Sequence, residues 1–394
     1  MEKVALVSYH FWYNYGTCYQ SYALWKVLDK MGVQAEYLNF GWEYPISDDV
    51  YLSHFWKKNV RINPLRLFYV NLRKYIHLLK RKQRILPQIR LDYTLLTNNR
   101  KFDKFRKQFI KETPLLKENC LANIENSYSL FLVGSDQVWN PDCCEIKYFR
   151  NFLLDFVKDN SKKGSYASSI GRSVVSKEIT NEYKKYLSSF SYISCREKSG
   201  CDILCSCLKK SVTQVLDPTL LIKAEDWRKI EVVPRTGQFV LCYLLGNRST
   251  IVEFAKRIAD KKGLPLVLVT IESDIIEKYH RFVTNGIGPL ELLGLIDKCD
   301  TCITDSFHGT AFCINYNKTF YSFMKKEGGY EFADNSRITD TLSFFKLDDR
   351  FVFDADSYND NSSVDFTFAN QKLERERLSS LTYLEKIINS IKQS

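Results

Sequence analysis

The stretch TCITDSFHGTAFCINYN, residues 301–317, places a histidine at a change of period. Cys302-Ile303-Thr304 suits a strand. It gives way to Asp305-Ser306-Phe307-His308-Gly309, and a helix-compatible apolar run follows at once. An imidazole there can give or take a proton near neutral pH. Ser306 adds a hydroxyl, and the amides of a helix start favour an anion. Three other corners share this design. SYISCREKSG sets Arg196 and Glu197 after an apolar run, and an arginine there can fork onto a phosphate or carboxylate. LFLVGSDQVWNP sets Gly134-Ser135-Asp136 and Trp139 after four apolar residues, with Asp136 either a helix cap or a working carboxylate. NYGTCYQ sets Asn14, Gly16 and Gln20 before a helical pattern, where Gly16 permits a tight turn or a close backbone approach. Each corner alone has an ordinary structural reading: a turn, a cap, a surface ion pair, a packed histidine. Together they point to a site for a small anion.

The elements that must position these corners alternate. KVALVSYHF reads as a strand, the segment from Thr17 to Met31 as a helix ended by Gly32, and QAEYLNF as a second strand. Strand, helix, strand in that order is a βαβ unit and implies a parallel sheet. Further strands are expected at 130–134, 163–169, 191–197 and 212–217, with a helix over 177–187. Pro218 stops the last of these strands, so Asp217-Pro218-Thr219 is a reasonable crossover. After a polar hinge at Arg235-Thr236-Gly237 the alternation resumes with FVLCYL, STIVEFAKRIADKKG, PLVLVTI, GPLELLGLIDKCD and TCITD. The pattern predicts an α/β protein with two Rossmann-like domains, 1–222 and 223–365, and a C-terminal helix over 366–394. Ligands in such sheets sit beyond the carboxyl ends of the strands. All four corners fall at such ends and would face an interdomain cleft.

The net charge of +11 is concentrated. Residues 57–107 carry sixteen Lys/Arg against two acids, a surplus of +14 that leaves the remaining chain at −3. Within PLRLFYVNLRKYIHLLKRKQR, Leu65, Phe68, Tyr69, Leu72, Ile76 and Leu79 form one helical stripe among cations. That is the profile of an interfacial amphipathic helix, or of a solvated helix packed on the protein. Nucleic acid is disfavoured, because no nucleic-acid motif accompanies the charge. No secretory signal and no run of about 18 apolar residues is visible, so a cytoplasmic location is expected. The twelve cysteines then read as reduced core residues. Cys205/Cys207 and Cys299/Cys302 lack a second pair at zinc spacing, so no metal is expected.

Seven pieces, in order, carry a resemblance: NYGTCYQSYAL, FLVGSDQVWNP, KGSYASSIG, SCREKSG, VLDPTLL, DSFHGTAF and NSRITDTL. In these the chain resembles the polysaccharide pyruvyl transferases, most strongly those of bacterial capsule and exopolysaccharide clusters. The resemblance implies a GT-B-like pair of domains, phosphoenolpyruvate as donor, and a sugar hydroxyl pair as acceptor. The product is a pyruvate ketal, with phosphate released and no cofactor. By position it implies catalytic His308 and Arg196, to which the residue chemistry adds Asp136 as a base for the sugar hydroxyl. His308, or a group it orients, would protonate the donor's methylene or bind its phosphate. Ser306, Gly309 and Thr310 would meet the donor. Asn14, Tyr15, Gly16, Gly134, Ser135 and Trp139 would meet the acceptor. Many members have an arginine where this chain has Ser306, and Arg337, Lys325 and Lys326 are the candidate replacements. A sugar linked to undecaprenyl diphosphate would suit the basic segment, which would hold the enzyme on the anionic inner face of the plasma membrane. The same architecture also admits a nucleotide-sugar glycosyltransferase, or a non-catalytic membrane-associated subunit of an assembly complex.

Overall fold

A computed structural model describes residues 2–40, 85–116, 124–144, 146–324, 336–355, 358 and 363–392. Lys325, Lys326 and the amphipathic stripe expected at 65–79 lie outside them.

The first half is built on strands β1 (Lys3–Val7), β2 (Gln34–Tyr37), β3 (Leu130–Val133) and β4 (Lys163–Ser165), all parallel in the order β2-β1-β3-β4. A short pair, β5 (Ser194–Cys195) and β6 (Thr213–Gln214), extends this sheet through bridges at Gly164–Tyr192 and Ser168–Cys195. Every residue of β3 is buried, as expected of a strand covered on both faces. The second half holds β7 (Val240–Tyr243), β8 (Leu266–Val269), β9 (Thr301–Thr304), β10 (Thr319–Phe323) and β11 (Phe351–Val352), parallel in the order β11-β10-β9-β7-β8.

The helices that matter for the site are α1 (Tyr15–Lys30), α2 (Ile85–Phe109), α3 (Lys177–Leu187), α4 (Lys198–Leu208), α5 (Ser249–Lys262), α6 (Pro289–Lys298), α7 (Phe307–Tyr316), α8 (Ser336–Phe345) and α9 (Thr367–Lys392). Asn14 caps α1 by accepting from Thr17 N, so the helix begins two residues earlier than its apolar period suggests. Gly32 follows α1 with φ +75°, a left-handed position that suits a residue without Cβ.

The halves form two Rossmann-like α/β units, each on a parallel sheet, and they share one apolar core. Tyr19, Trp227 and Phe312 meet there, from α1, the segment after the first sheet, and α7. Tyr15 and Tyr19 of α1 donate across the junction to the carbonyls of Ile287 and Pro289, at 2.7 and 2.6 Å. The described end of the basic segment, α2, packs on α1 and α6 and thereby touches both halves. The C-terminal helix α9 returns to the first half: Ser380 Oγ accepts from Leu216 N at 3.0 Å, and Tyr383 Oη donates to Ser165 O at 3.1 Å.

Candidate active site

The carboxyl ends of β1, β3, β5 and β9 converge, and their polar residues meet around a buried arginine. Arg196 follows β5, and its guanidinium is almost wholly removed from water. Nη1 donates to Asp217 Oδ2 at 2.6 Å. Nη2 lies 3.7 Å from Asp136 Oδ1, and Nε 3.9 Å from Glu197 Oε2. One face of the guanidinium rests 4.2 Å from the centroid of the Phe307 ring. Burial works against its charge, but Asp217, Asp136 and Glu197 more than offset that and raise its affinity for the proton. Nε and Nη2 are buried without a hydrogen-bond partner. A buried donor left unbonded is costly, so these two N–H groups are ready for an anionic ligand.

Asp217 is the residue that sequence reasoning missed. The sequence suggests only a crossover there, and in the structure it is also a cap: Oδ1 accepts from Thr219 N and Thr219 Oγ1. Its other oxygen, Oδ2, meets Arg196, and lies 3.7 Å from His308 Nε2 and 3.4 Å from Ser135 Oγ. Burial alone would raise its carboxyl. The imidazole of His308 and the Arg196 charge instead hold it far below the usual carboxylate range.

His308 arrives from the second half. Ser306 caps α7 by accepting from Gly309 N at 3.2 Å, and this sets the imidazole in the first helical turn. His308 is buried, and its Nε2 has no hydrogen-bond partner. Its other edge presses on α1: a Cβ at Gly16 would stand 2.1 Å from Nδ1. Gly16 therefore serves close approach between the two halves, in ordinary helical backbone.

Asp136 sits at φ +70° after β3, where its carbonyl accepts from Ser169 N at 2.9 Å and its Oδ2 accepts from Thr17 Oγ1 at 3.4 Å. No helix starts there, so the cap reading of Asp136 does not apply. Glu197 is committed elsewhere: its Oε1 accepts from Ser169 Oγ, Ile170 N and Gly171 N.

Beside Arg196 lies a small pocket between the halves. Arg196, Leu216 and Asp217 form one wall, with Phe307 beside them. Arg337, Asp340 and Phe344 of α8 form the other. Arg337 reaches across to the first half, where Gln137, with its amide oxygen turned toward it, accepts from Nη1 and Nη2 at 3.1 and 3.2 Å. Two guanidinium groups from opposite halves thus line one pocket.

Several expected contacts fall elsewhere. Trp139 is fully buried, with its indole donating to Phe152 O, so it has no surface for a sugar. Ser135 faces inward onto Ala167 O and Asp217. The Tyr15 hydroxyl is used as an interdomain strut. Thr310 spends its hydroxyl on Ser306 O and Ser322 Oγ inside the fold. Gly309 serves packing, since a Cβ there would meet Thr304 Oγ1 at 2.6 Å. The Asn14 side chain is the α1 cap, and a Cβ at Gly134 would meet Tyr166 O at 2.1 Å. What the first half does offer at its rim is the partly exposed Phe11-Trp12-Tyr13 run after β1. It is braced by stacking of Trp12 on Tyr9 and by Tyr13 Oη donating to Asp103.

The family model for polysaccharide pyruvyl transferase matches residues 14–324. The chain belongs to that family. No curated protein matches the sequence. Among solved structures, this family member is similar to a UDP-GlcNAc 2-epimerase of Methanocaldococcus jannaschii in complex with UDP-GlcNAc and UDP. The identity is 11%, with 97% of this chain and 100% of that one covered, at a TM-score of 0.47. It is also similar to the E. coli heptosyltransferase WaaC, at 10% identity over 84% and 91% of the two chains and a TM-score of 0.36. Among the described residues of this family member, no group of three or more His, Cys, Asp or Glu could hold a metal ion. Nor is any helix there long and apolar enough to cross a membrane.

Proposed function

We propose that the protein transfers pyruvate from phosphoenolpyruvate to a hydroxyl pair of a sugar, forming a ketal in capsule or exopolysaccharide synthesis. The observation that carries this reading is the pair of guanidinium groups, Arg196 and Arg337, on opposite walls of one pocket beside His308. Phosphoenolpyruvate presents two anionic groups, a phosphate and a carboxylate, and two forked donors suit them. Arg337 takes the place of the arginine that many members carry where this chain has Ser306.

Arg196 and Arg337 hold the donor, and their charge stabilises the phosphate as it departs. Asp136, next to Arg196 and partly exposed, accepts the proton of the attacking sugar hydroxyl. His308, held between Gly16 and Asp217 outside the donor pocket, takes the proton of the second sugar hydroxyl, which leaves with the phosphate by way of solvent. Trp12 and Tyr13 supply apolar ring faces for the sugar. Phosphoenolpyruvate is a co-substrate in this reading, and no metal or further cofactor takes part. The basic segment, +14 over 57–107, supports an acceptor carried on undecaprenyl diphosphate at an anionic membrane surface.

The test is incubation with phosphoenolpyruvate and galactose-, mannose- and glucosamine-type acceptors, free and lipid diphosphate-linked. Phosphate release and an acceptor mass gain equal to pyruvic acid minus water support ketal transfer. Turnover of nucleotide sugars in place of phosphoenolpyruvate would assign a glycosyltransferase instead.

A further inference from the structure

Ketal formation needs a proton at the donor's methylene carbon before the neighbouring carbon can accept a hydroxyl. Its source must face the donor pocket. His308 is on the far side of Asp217 and is not among the residues lining that space. Four carboxyl groups are. Asp217 is ion-paired with Arg196. Glu197 is bound by two backbone amides and Ser169. Glu376 pairs with Lys372 at 3.0 Å and with Arg375 at 3.4 Å. Asp340 is the fourth, and among the described residues no ion pair is formed with it.

Asp340 stands one turn beyond Arg337 on α8, and the two side chains share the helix face that walls the pocket. Its Oδ2 accepts from Ser199 Oγ of α4 at 3.1 Å, which fixes the carboxyl from the opposite half. We propose that Asp340 is the proton donor to the methylene carbon of phosphoenolpyruvate, and hence a catalytic residue of the transfer reaction. The inference rests on the pyruvyl-transfer reading above.

The surroundings suit an acid. Burial raises its carboxyl, and the nearby charges of Glu197 and Asp202 add to the rise, against the Ser199 hydrogen bond. The charged groups facing it are Lys198 and Asp202 from α4, Arg196 and Glu197 after β5, Arg337 on its own helix, and Glu376 from α9. The step balances. The Asp340 proton bonds to the methylene carbon through the double-bond electrons, and that carbon becomes a methyl group. The first sugar oxygen adds at the central carbon and gives up its proton, which returns through Asp136 and solvent to Asp340. The bond from the central carbon to the phosphate oxygen breaks as the second sugar oxygen takes its place. The second hydroxyl proton leaves with the phosphate.

The experiment compares wild type, Asp340→Asn, Asp340→Glu and Ser199→Ala in phosphate release from phosphoenolpyruvate with a productive acceptor, across pH. For Asp340→Asn the expected result is a kcat lowered about 10²–10⁴-fold with KM for phosphoenolpyruvate changed less than about threefold. Wild-type kcat should fall as pH rises through the raised pKa of Asp340, and Asp340→Asn should lack that limb. Asp340→Glu should retain it. Ser199→Ala removes the interdomain hydrogen bond and should cost less than about tenfold; a loss matching Asp340→Asn would make the pair a latch and overturn the proposal. An active wild type with Asp340→Asn at or near its kcat would overturn the proposal alone. A wild type that makes no ketal from phosphoenolpyruvate with any acceptor would overturn the parent reading and this one with it. If Asp340→Asn fails to fold, the pH limb of Asp340→Glu decides, and its absence counts against the proposal.

Discussion

Replacing Gly16 with alanine separates fold from catalysis at one atom. The new Cβ would lie 2.1 Å from Nδ1, 2.4 Å from Cε1 and 2.9 Å from Cγ of His308. Ordinary contact needs about 3.5 Å, so the imidazole must retreat by about 1.4 Å or rotate away. The backbone at this position is helical and admits any residue. Alanine even favours the helix by about 0.5–1 kcal/mol over glycine. The fold should therefore survive while the ring loses its place against Asp217. A misplacement of about 1 Å costs on the order of 100-fold in rate, equivalent to about 2.7 kcal/mol of barrier. Phosphate release from phosphoenolpyruvate at saturating acceptor, measured beside a thermal melt, is the assay. The expected outcome is a kcat about 100-fold lower with a melting temperature within a few degrees of wild type. In the His308→Ala background the same substitution should cost almost nothing more, because the group it displaces is gone. Full activity in Gly16→Ala would refute the placement of His308 as a working group. Equal losses in the presence and absence of His308 would refute the proposed route of the damage.

Three further outcomes follow from the same geometry. Asp217→Asn leaves the Arg196 charge short of its closest partner in a dry site and should destabilise the fold by about 3–5 kcal/mol in urea unfolding at neutral pH. The folded-state pKa of Asp217 is depressed, so its contribution is complete above the unfolded value of about 3.9 and lost as pH falls below it. The urea midpoint of wild type should thus drop more between pH 5 and pH 3 than that of Asp217→Asn, and parallel drops would contradict the assignment. Arg337→Gln removes one of the two donor forks and should raise KM for phosphoenolpyruvate at least about tenfold while leaving acceptor KM nearly unchanged; an effect confined to the acceptor would move Arg337 out of the donor site. Neutralising Lys80, Arg81 and Lys82 together should weaken flotation with anionic vesicles, and unaltered binding would remove the membrane role of the basic segment.

Much of the frame was legible because alternation and apolar runs report strand and helix directly. The parallel strands β1, β3, β5, β7 and β9, and the placement of Arg196 after β5 and His308 after β9, could be read from period and punctuation alone. What could not be read is which way a corner residue faces. Trp139, Ser135 and Tyr15 sit next to working positions in the chain, yet the turn after β3 and the first turn of α1 direct them into the core or across the junction. Asp217 was hidden for the opposite reason. Asp-Pro-Thr is a sufficient cap on its own, and nothing in the sequence shows that the second carboxylate oxygen meets an arginine and a histidine from two other elements. The value of Gly16 was equally invisible, because the side chain that needs its space lies in the other half of the molecule.

The most direct test of the account is a crystal structure of the protein with phosphoenolpyruvate, supported by a turnover assay on the same preparation. The account predicts the donor between Arg196 and Arg337, its phosphate and carboxylate divided between the two guanidinium groups, with pyruvate ketal and free phosphate formed once acceptor is added. Phosphoenolpyruvate bound away from both arginines, or ketal formed as fast by Arg196→Ala as by wild type, would contradict it.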